Sequence, residues 1–152
     1  MKLLFKQRFF SFFNSYDIYN EAGDTVFTVE GQLSLEPCFN IICNGREVGT
    51  VKRILFTLLP KFEIYYKDEY IGCISREFTL VGSKYNLDYL GWKVDGDFFG
   101  WDFCIYDSNG KVIASVTKEL FNFTDTYVID INDSVDTASV LILVIAIDSD
   151  KR

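Results

Sequence analysis

Residues 48–64 read VGTVKRILFTLLPKFEI, and the same grammar returns at 71–87 (IGCISREFTLVGSKYNL) and at 113–129 (IASVTKELFNFTDTYVI). Each copy opens with an aliphatic residue, then Gly or Ala, any residue, Val or Ile, any residue and a basic one. A loop follows, and then an aromatic-x-aliphatic triplet. That triplet spreads beyond the three full copies, at Tyr16–Ile18, Phe39–Ile41, Phe62–Ile64, Tyr85–Leu87, Phe103–Ile105 and Tyr127–Ile129. The first four aromatics stand 23 residues apart, and the last two steps are 18 and 24. An aliphatic opener precedes each by 13 or 14 residues: Leu3, Val26, Val48, Ile71, Leu90 and Ile113. A period in the 20s marks one supersecondary unit used repeatedly, because a single unit cannot bury its own apolar face. Short runs alternate with turn signals such as Asn44-Gly45, Lys67-Asp68 and Ser108-Asn109-Gly110, so the unit is a hairpin. Six units predict twelve strands.

Side chains alternate along a strand, so the pattern also assigns faces. Phe62, Ile64 and Tyr66 share a face, as do Tyr85, Leu87 and Tyr89, and these aromatic faces are expected inside. In the first strand of a unit the series Gly49-Val51-Arg53, Gly72-Ile74-Arg76 and Ala114-Val116-Lys118 lies on one face. Its small residues point to an inward face with room for a central element.

That element is the segment near the C-terminus. Ser134–Thr137 offers a helix N-cap, with Asp133 and Asp136 near the positive dipole end. Residues 138–147, ASVLILVIAI, then run apolar on all sides, as a buried helix does. Periodicity alone leaves a central strand open, since many of these residues are β-branched. The lumen decides: eight strands are filled by their own side chains, so twelve leave a space that a helix about 10 Å across would fill. The chain is therefore expected to be mainly β: a closed antiparallel twelve-stranded barrel of six tandem hairpins. It forms one domain over 1–152, with its central helix at about 134–148.

The totals restrict function. Residues 1–76 carry nine Lys/Arg and nine Asp/Glu, and residues 77–152 carry six against thirteen, which accounts for the net charge of −7. Such a balance argues against nucleic acid as a partner, although the neutral first half leaves room for a local basic patch. The four cysteines, Cys38, Cys43, Cys73 and Cys104, make no C-x-x-C pair, and a domain this apolar does not need disulfides. They fit a reducing, cytoplasmic compartment. The N-terminus has too short an apolar run for a signal peptide, and the longest apolar run, Val140–Ile147, falls well short of the roughly 20 residues of a membrane span.

There is no histidine, which removes Ser-His and Cys-His nucleophiles and the usual general base; phosphate-binding glycine loops are also missing. No catalytic residue, cofactor or metal ligand is assigned. Asp95, Asp97, Asp102 and Asp107 form the best cation candidate, but aromatics interrupt them and Asp107 reads as turn chemistry. Trp92, Phe98, Phe99 and Trp101 read as core rather than as an exposed patch. The candidate binding residues are basic. Arg8, Arg53, Arg76 and Lys118 hold the same position in four units, with Gly31 and Asp95 in the other two. In an up-and-down barrel this position falls at one rim, suited to an anion. The competing reading pairs them with Glu30, Glu77, Asp95 and Glu119, or with the carbonyl end of the helix.

The hairpin signature, the segment LGWKVDGDFFGWDFCIYDSNGKVIASVTKE (90–119) and the apolar terminal helix together resemble the LURP-one-related proteins. These sit in the tubby C-terminal-like superfamily with the phospholipid scramblases. The resemblance covers residues 2–148 and implies a tubby-like barrel threaded by a helix. It also implies action at membranes, where tubby domains bind phosphoinositides through clustered Lys/Arg. This chain departs from those relatives in being acidic and in lacking a long basic loop. The leading expectation is a non-catalytic barrel binding an anionic lipid headgroup or other anion, peripheral at the membrane. The second is a structural or protein-interaction module without a small ligand; a carboxylate- or metal-dependent enzyme ranks third. A concave basic rim favours the first, and an extended apolar surface the second.

Overall fold

The computed structural model describes residues 1–6, 15–32, 35–82, 84–121 and 124–150, without the side chains of 120, 121, 124 and 125. The first three units supply β1 (Lys2–Lys6), β2 (Tyr16–Tyr19), β3 (Thr25–Gln32), β4 (Cys38–Cys43), β5 (Arg46–Ile54) and β6 (Lys61–Tyr66). The last three supply β7 (Glu69–Glu77), β8 (Lys84–Asp88), β9 (Lys93–Asp97), β10 (Asp102–Tyr106), β11 (Val112–Phe121) and β12 (Thr124–Ile131). A single helix, α1 (Thr137–Asp150), follows. The twelve expected strands are all present.

Every sequential pair is antiparallel except β8 and β9, and β1 pairs with β12 from Lys2↔Asp130 to Lys6↔Thr126. The barrel therefore closes through its first and last strands and stays unladdered at one seam, between β8 and β9. Register repeats with the units. The rim position faces the aromatic of the next strand at Gly31↔Phe39, Arg53↔Phe62, Arg76↔Tyr85 and Lys118↔Tyr127. A further repeat was not legible in the sequence: the ladder shifts just after the isoleucine of the triplet, at Ile18/Tyr19, Ile41/Ile42, Ile64/Tyr65 and Ile105/Tyr106. Such irregularities bend a strand and raise its twist, which helps a sheet to curl and close.

The inward faces are those the alternation predicts except at Tyr66, expected inside with Phe62 and Ile64, which follows the register shift at Ile64/Tyr65 and is 41% exposed. The six triplet aromatics are buried, and so are Val51, Ile74, Ala114 and Val116 on the small-residue strands. The space is used by α1, whose residues Val140–Ile147 are at most 2% exposed. Gly49 faces Ile142 so closely that a Cβ there would collide with the isoleucine side chain. The helix starts later than expected. Asp136 is its N-cap, its carboxylate accepting from the Ser139 backbone N–H at 3.0 Å, while Ser134 is held by Asn132 in the preceding turn.

The two ends of the barrel differ. At the end where α1 begins, turns are short and largely polar; Asn44-Gly45 and Lys67-Asp68 both take left-handed φ angles, as a tight hairpin turn requires. At the other end, where α1 finishes, loops leave β3, β5, β7 and β9, and the connections after β5 and β7 are the longest of these.

Candidate functional site

The mouth around the end of α1 is where the chain's exposed apolar residues collect. Among the described residues, seven large hydrophobic side chains are at least two-thirds exposed: Leu35, Phe56, Leu58, Phe78, Leu80, Val81 and Phe99. All seven lie in loops at this mouth, following β3, β5, β7 and β9. Phe56 is wholly exposed and holds a φ of 61°, a left-handed conformation that costs a bulky residue roughly 1–2 kcal/mol. A strained backbone presenting a phenylalanine to solvent gains nothing for folding. Exposed apolar tips gathered at one end of a domain mark an interaction site.

Charge around the mouth is polarised. On the β5–β8 side the strand ends carry Lys52, Arg53, Lys61, Arg76 and Lys84, against Glu63 and Glu77. On the β9–β11 side they carry Asp97, Asp102 and Glu119, with Lys118. The basic quarter also holds five of the seven exposed tips, Phe56, Leu58, Phe78, Leu80 and Val81. Four of these five basic residues come from the neutral first half, and Lys84 comes from the acidic second half.

The four basic candidates are distributed as follows. Arg8 lies outside the described residues. Arg53, Arg76 and Lys118 do occupy the same mouth, but Lys118 on β11 stands across the barrel from Arg53, with six strand steps between β5 and β11. Arg76 is engaged: its Nε donates to Asp150 Oδ2 at 2.9 Å, its Nη2 lies 2.8 Å from the same oxygen in an ion pair, and the Tyr85 hydroxyl donates to that oxygen at 2.6 Å. Burial opposes the guanidinium charge, but the bonds to Asp150 outweigh it and hold Arg76 above its ordinary value. Burial, with the Asp150 hydrogen bond added, pushes the Tyr85 phenol well above its usual value. Asp150 and Asp148 sit at the negative end of the helix dipole, where α1 itself has no basic residue, so the cation comes from the wall. The helix-end role foreseen for these residues is real for Arg76, while its partner was not foreseen. The signal was present in the two aspartates that end an apolar run. Arg53 makes no ion pair among the described residues; its backbone N–H donates to Pro37 O, as that of Arg76 does to Pro60 O.

The other candidates separate. Asp97 caps Gly100 N, and Asp107 accepts from Asn109 N and Lys111 N in a turn at the opposite end. No group of three acidic or cysteine residues placed to hold a metal occurs among the described residues. Trp101 stacks on Tyr127 with ring centroids 4.1 Å apart, and Phe98 packs on Tyr85 at 4.9 Å, both buried. Trp92 lies against Tyr89 at the far end, and Phe99 alone of the four joins the exposed tips. All four cysteines are free. No helix among the described residues is long and apolar enough to cross a membrane.

One cleft opens at the mouth, about 760 Å³, between the loops after β3 and β5. Leu35, Leu55 and Phe56 line it toward the tips, and Gln32, Glu36, Cys38 and Lys52 line it toward the wall. Lys52 Nζ lies 3.4 Å from Glu36 Oε2 and 5.8 Å from the centre of the Tyr65 ring. The hydrogen bond from its hydroxyl to Glu63 is the main reason the Tyr65 phenol is pushed up to about 12.

The sequence profile of the LURP-one-related family matches residues 1–148. The chain belongs to the LURP-one-related family. Separately, the uncharacterized protein YxjI of Bacillus subtilis strain 168 is 27% identical over 150 residues, covering 97% of this chain and 92% of the relative. No solved structure matches the chain. The LURP-one-related assignment agrees with the six-hairpin repeat and with a barrel wrapped round a terminal helix; it assigns no chemistry to the mouth.

Proposed function

We propose that this LURP-one-related barrel is a peripheral membrane-binding module that docks its apolar mouth on an anionic bilayer. The observation that carries the reading is the coincidence, on the β5–β8 side, of five exposed apolar tips with five basic strand ends. Tips at this level enter the acyl boundary, and lysine and arginine one step below meet the headgroups. Full burial of one such side chain is worth roughly 1.5–3 kcal/mol, so a few tips give measurable partitioning. The role is one of binding, peripheral at the cytoplasmic face, where free thiols are stable.

An apolar surface by itself also fits a protein partner. The form of this one favours lipid. The tips are separate protrusions on several loops around the plugged mouth, and a fluid interior moulds to protrusions where a rigid partner needs a continuous face.

Co-sedimentation with neutral and anionic vesicles, at low and physiological salt, tests the proposal. Binding to anionic vesicles is expected, weakened by salt and by Lys61→Glu with Lys84→Glu, and abolished by Phe56→Asp with Leu80→Asp in a protein of unchanged melting temperature. Absence of vesicle binding at both salts refutes it. The interaction-module reading then leads.

A further inference from the structure

The cleft between the loops after β3 and β5 has an ordered polarity. Its tip end is apolar, formed by Leu35, Leu55 and Phe56; its wall end carries the Lys52 ammonium and the Gln32 amide. Gln32 Oε1 accepts the Cys38 thiol at 3.6 Å, so its N–H₂ end is left for an acceptor. With the mouth facing a bilayer, the sequence from tip to wall is the sequence from acyl chain to phosphate in a leaflet. Its volume, about 760 Å³, lies in the range of small-molecule sites.

We infer that this cleft seats one anionic glycerophospholipid, its phosphate on Lys52 and Gln32 and one acyl chain along Leu35, Leu55 and Phe56. The inference rests on the membrane-docking reading and names the ligand at one point of that surface. Two carboxylates oppose the phosphate: Glu36, 3.4 Å from Lys52, and Glu63, paired across the strands with Lys52 and occupied by the Tyr65 hydroxyl. The side chains of Lys52 and Glu36 are 40% and 39% exposed, so that pair is weak and a phosphate can take the lysine from it. The ring of Tyr65 keeps the ammonium on the wall beside the cleft when Glu36 is displaced. The strained, outward Phe56 forms the lip along which the chain would lie.

The probe is dihexanoyl phosphatidic acid, kept monomeric and titrated into the isotope-labelled full chain, with glycerol 3-phosphate as the head-only control. Saturable amide shifts are expected at Gln32, Leu35, Cys38, Lys52, Leu55 and Phe56 with the lipid. Glycerol 3-phosphate should give none over the same range. Lys52→Glu should weaken the lipid at least tenfold, and Glu36→Gln should tighten it two- to fivefold, a gain that a merely structural role for Glu36 would not produce. The inference is overturned by an absence of saturable shifts, by unchanged affinity in Lys52→Glu, or by glycerol 3-phosphate binding as tightly as the lipid, which would make this a free-phosphate site. If vesicle binding persists while the monomeric lipid fails, only the cleft assignment falls. If both fail, the membrane reading falls with it.

Discussion

Arg76, on the barrel wall, holds Asp150, on the last turn of the central helix, through a 2.9 Å hydrogen bond from Nε and a 2.8 Å ion-pair contact from Nη2 to one carboxylate oxygen. The residues are 74 positions apart in the chain, and their contact fastens the finishing end of α1 to β7. Asp150 Oδ1 has no partner among the described residues, so Oδ2 carries the satisfaction of that carboxylate.

Removing the cation should therefore cost more than a surface pair would. Arg76→Ala leaves a buried carboxylate with only Tyr85 as donor and is expected to lower stability by about 2–4 kcal/mol, moderated by the partial exposure of the arginine. Arg76→Met combined with Asp150→Leu removes both charges and should recover most of that loss. Urea unfolding of the two variants and the parent measures both effects. A single variant as stable as the parent would show that the pair does not anchor the helix.

Alkaline pH should loosen the barrel through its buried phenols. Burial is the main reason, with the charge of Asp136 adding to it, that Tyr89 is pushed up to about 12. Its folded value lies above its unfolded one, so this contribution is complete below pH 10 and is lost as pH rises from 10 toward 12. The two-unit difference corresponds to about 2–3 kcal/mol. Stability followed by chemical denaturation from pH 8 to 11.5 should fall beyond pH 10, and less steeply in Tyr89→Phe.

Gly49 and Gly72 occupy equivalent positions yet should respond differently to alanine. At Gly49 the new methyl meets the end of the Ile142 side chain, and at Gly72 it meets the Asp88 carbonyl oxygen at 2.5 Å and Tyr89 Cα at 3.2 Å. A side chain can yield where a backbone cannot. Gly49→Ala is expected to cost about 1–3 kcal/mol and to be largely rescued by Ile142→Val. Gly72→Ala should cost more and find no rescue at Ile142, a contrast that thermal denaturation of the four variants can test.

Phe56 should trade stability for binding. Phe56→Asn suits a φ of 61° better and is expected to raise stability by about 0.5–1 kcal/mol. The same change removes one wholly exposed tip and should weaken anionic-vesicle partitioning by about tenfold. A variant that is both stabler and equally able to bind vesicles would separate this tip from docking.

The fold was largely legible because its signals are local and repeated. The triplets at Phe62–Ile64 and Phe103–Ile105 mark inward faces by alternation, and all four residues are buried. The apolar run from Val140 to Ile147 marks a buried helix because no side of it is polar. The site was less legible. Phe98 and Phe99 are adjacent and identical in type, yet one is 4% exposed and the other 67%, according to which side of a loop faces Tyr85. Of the basic series, Arg53, Arg76 and Lys118 share one mouth, and Arg8 lies outside the described residues. Their division into an engaged Arg76, an Arg53 with no ion pair among the described residues and a Lys118 on the opposite wall was not legible.

By itself the sequence determined the six hairpins, the strand faces and the helix that fills the barrel, because hydrogen-bonded strands impose a period of two and apolar side chains must leave water. Only the tertiary structure decided where the cylinder stays unladdered, which wall cation reaches Asp150, and that the uncharged loop tips gather outward beside the basic strand ends. Those outcomes depend on how residues far apart in the chain come together when a sheet curls round a helix, and no local pattern carries that distance.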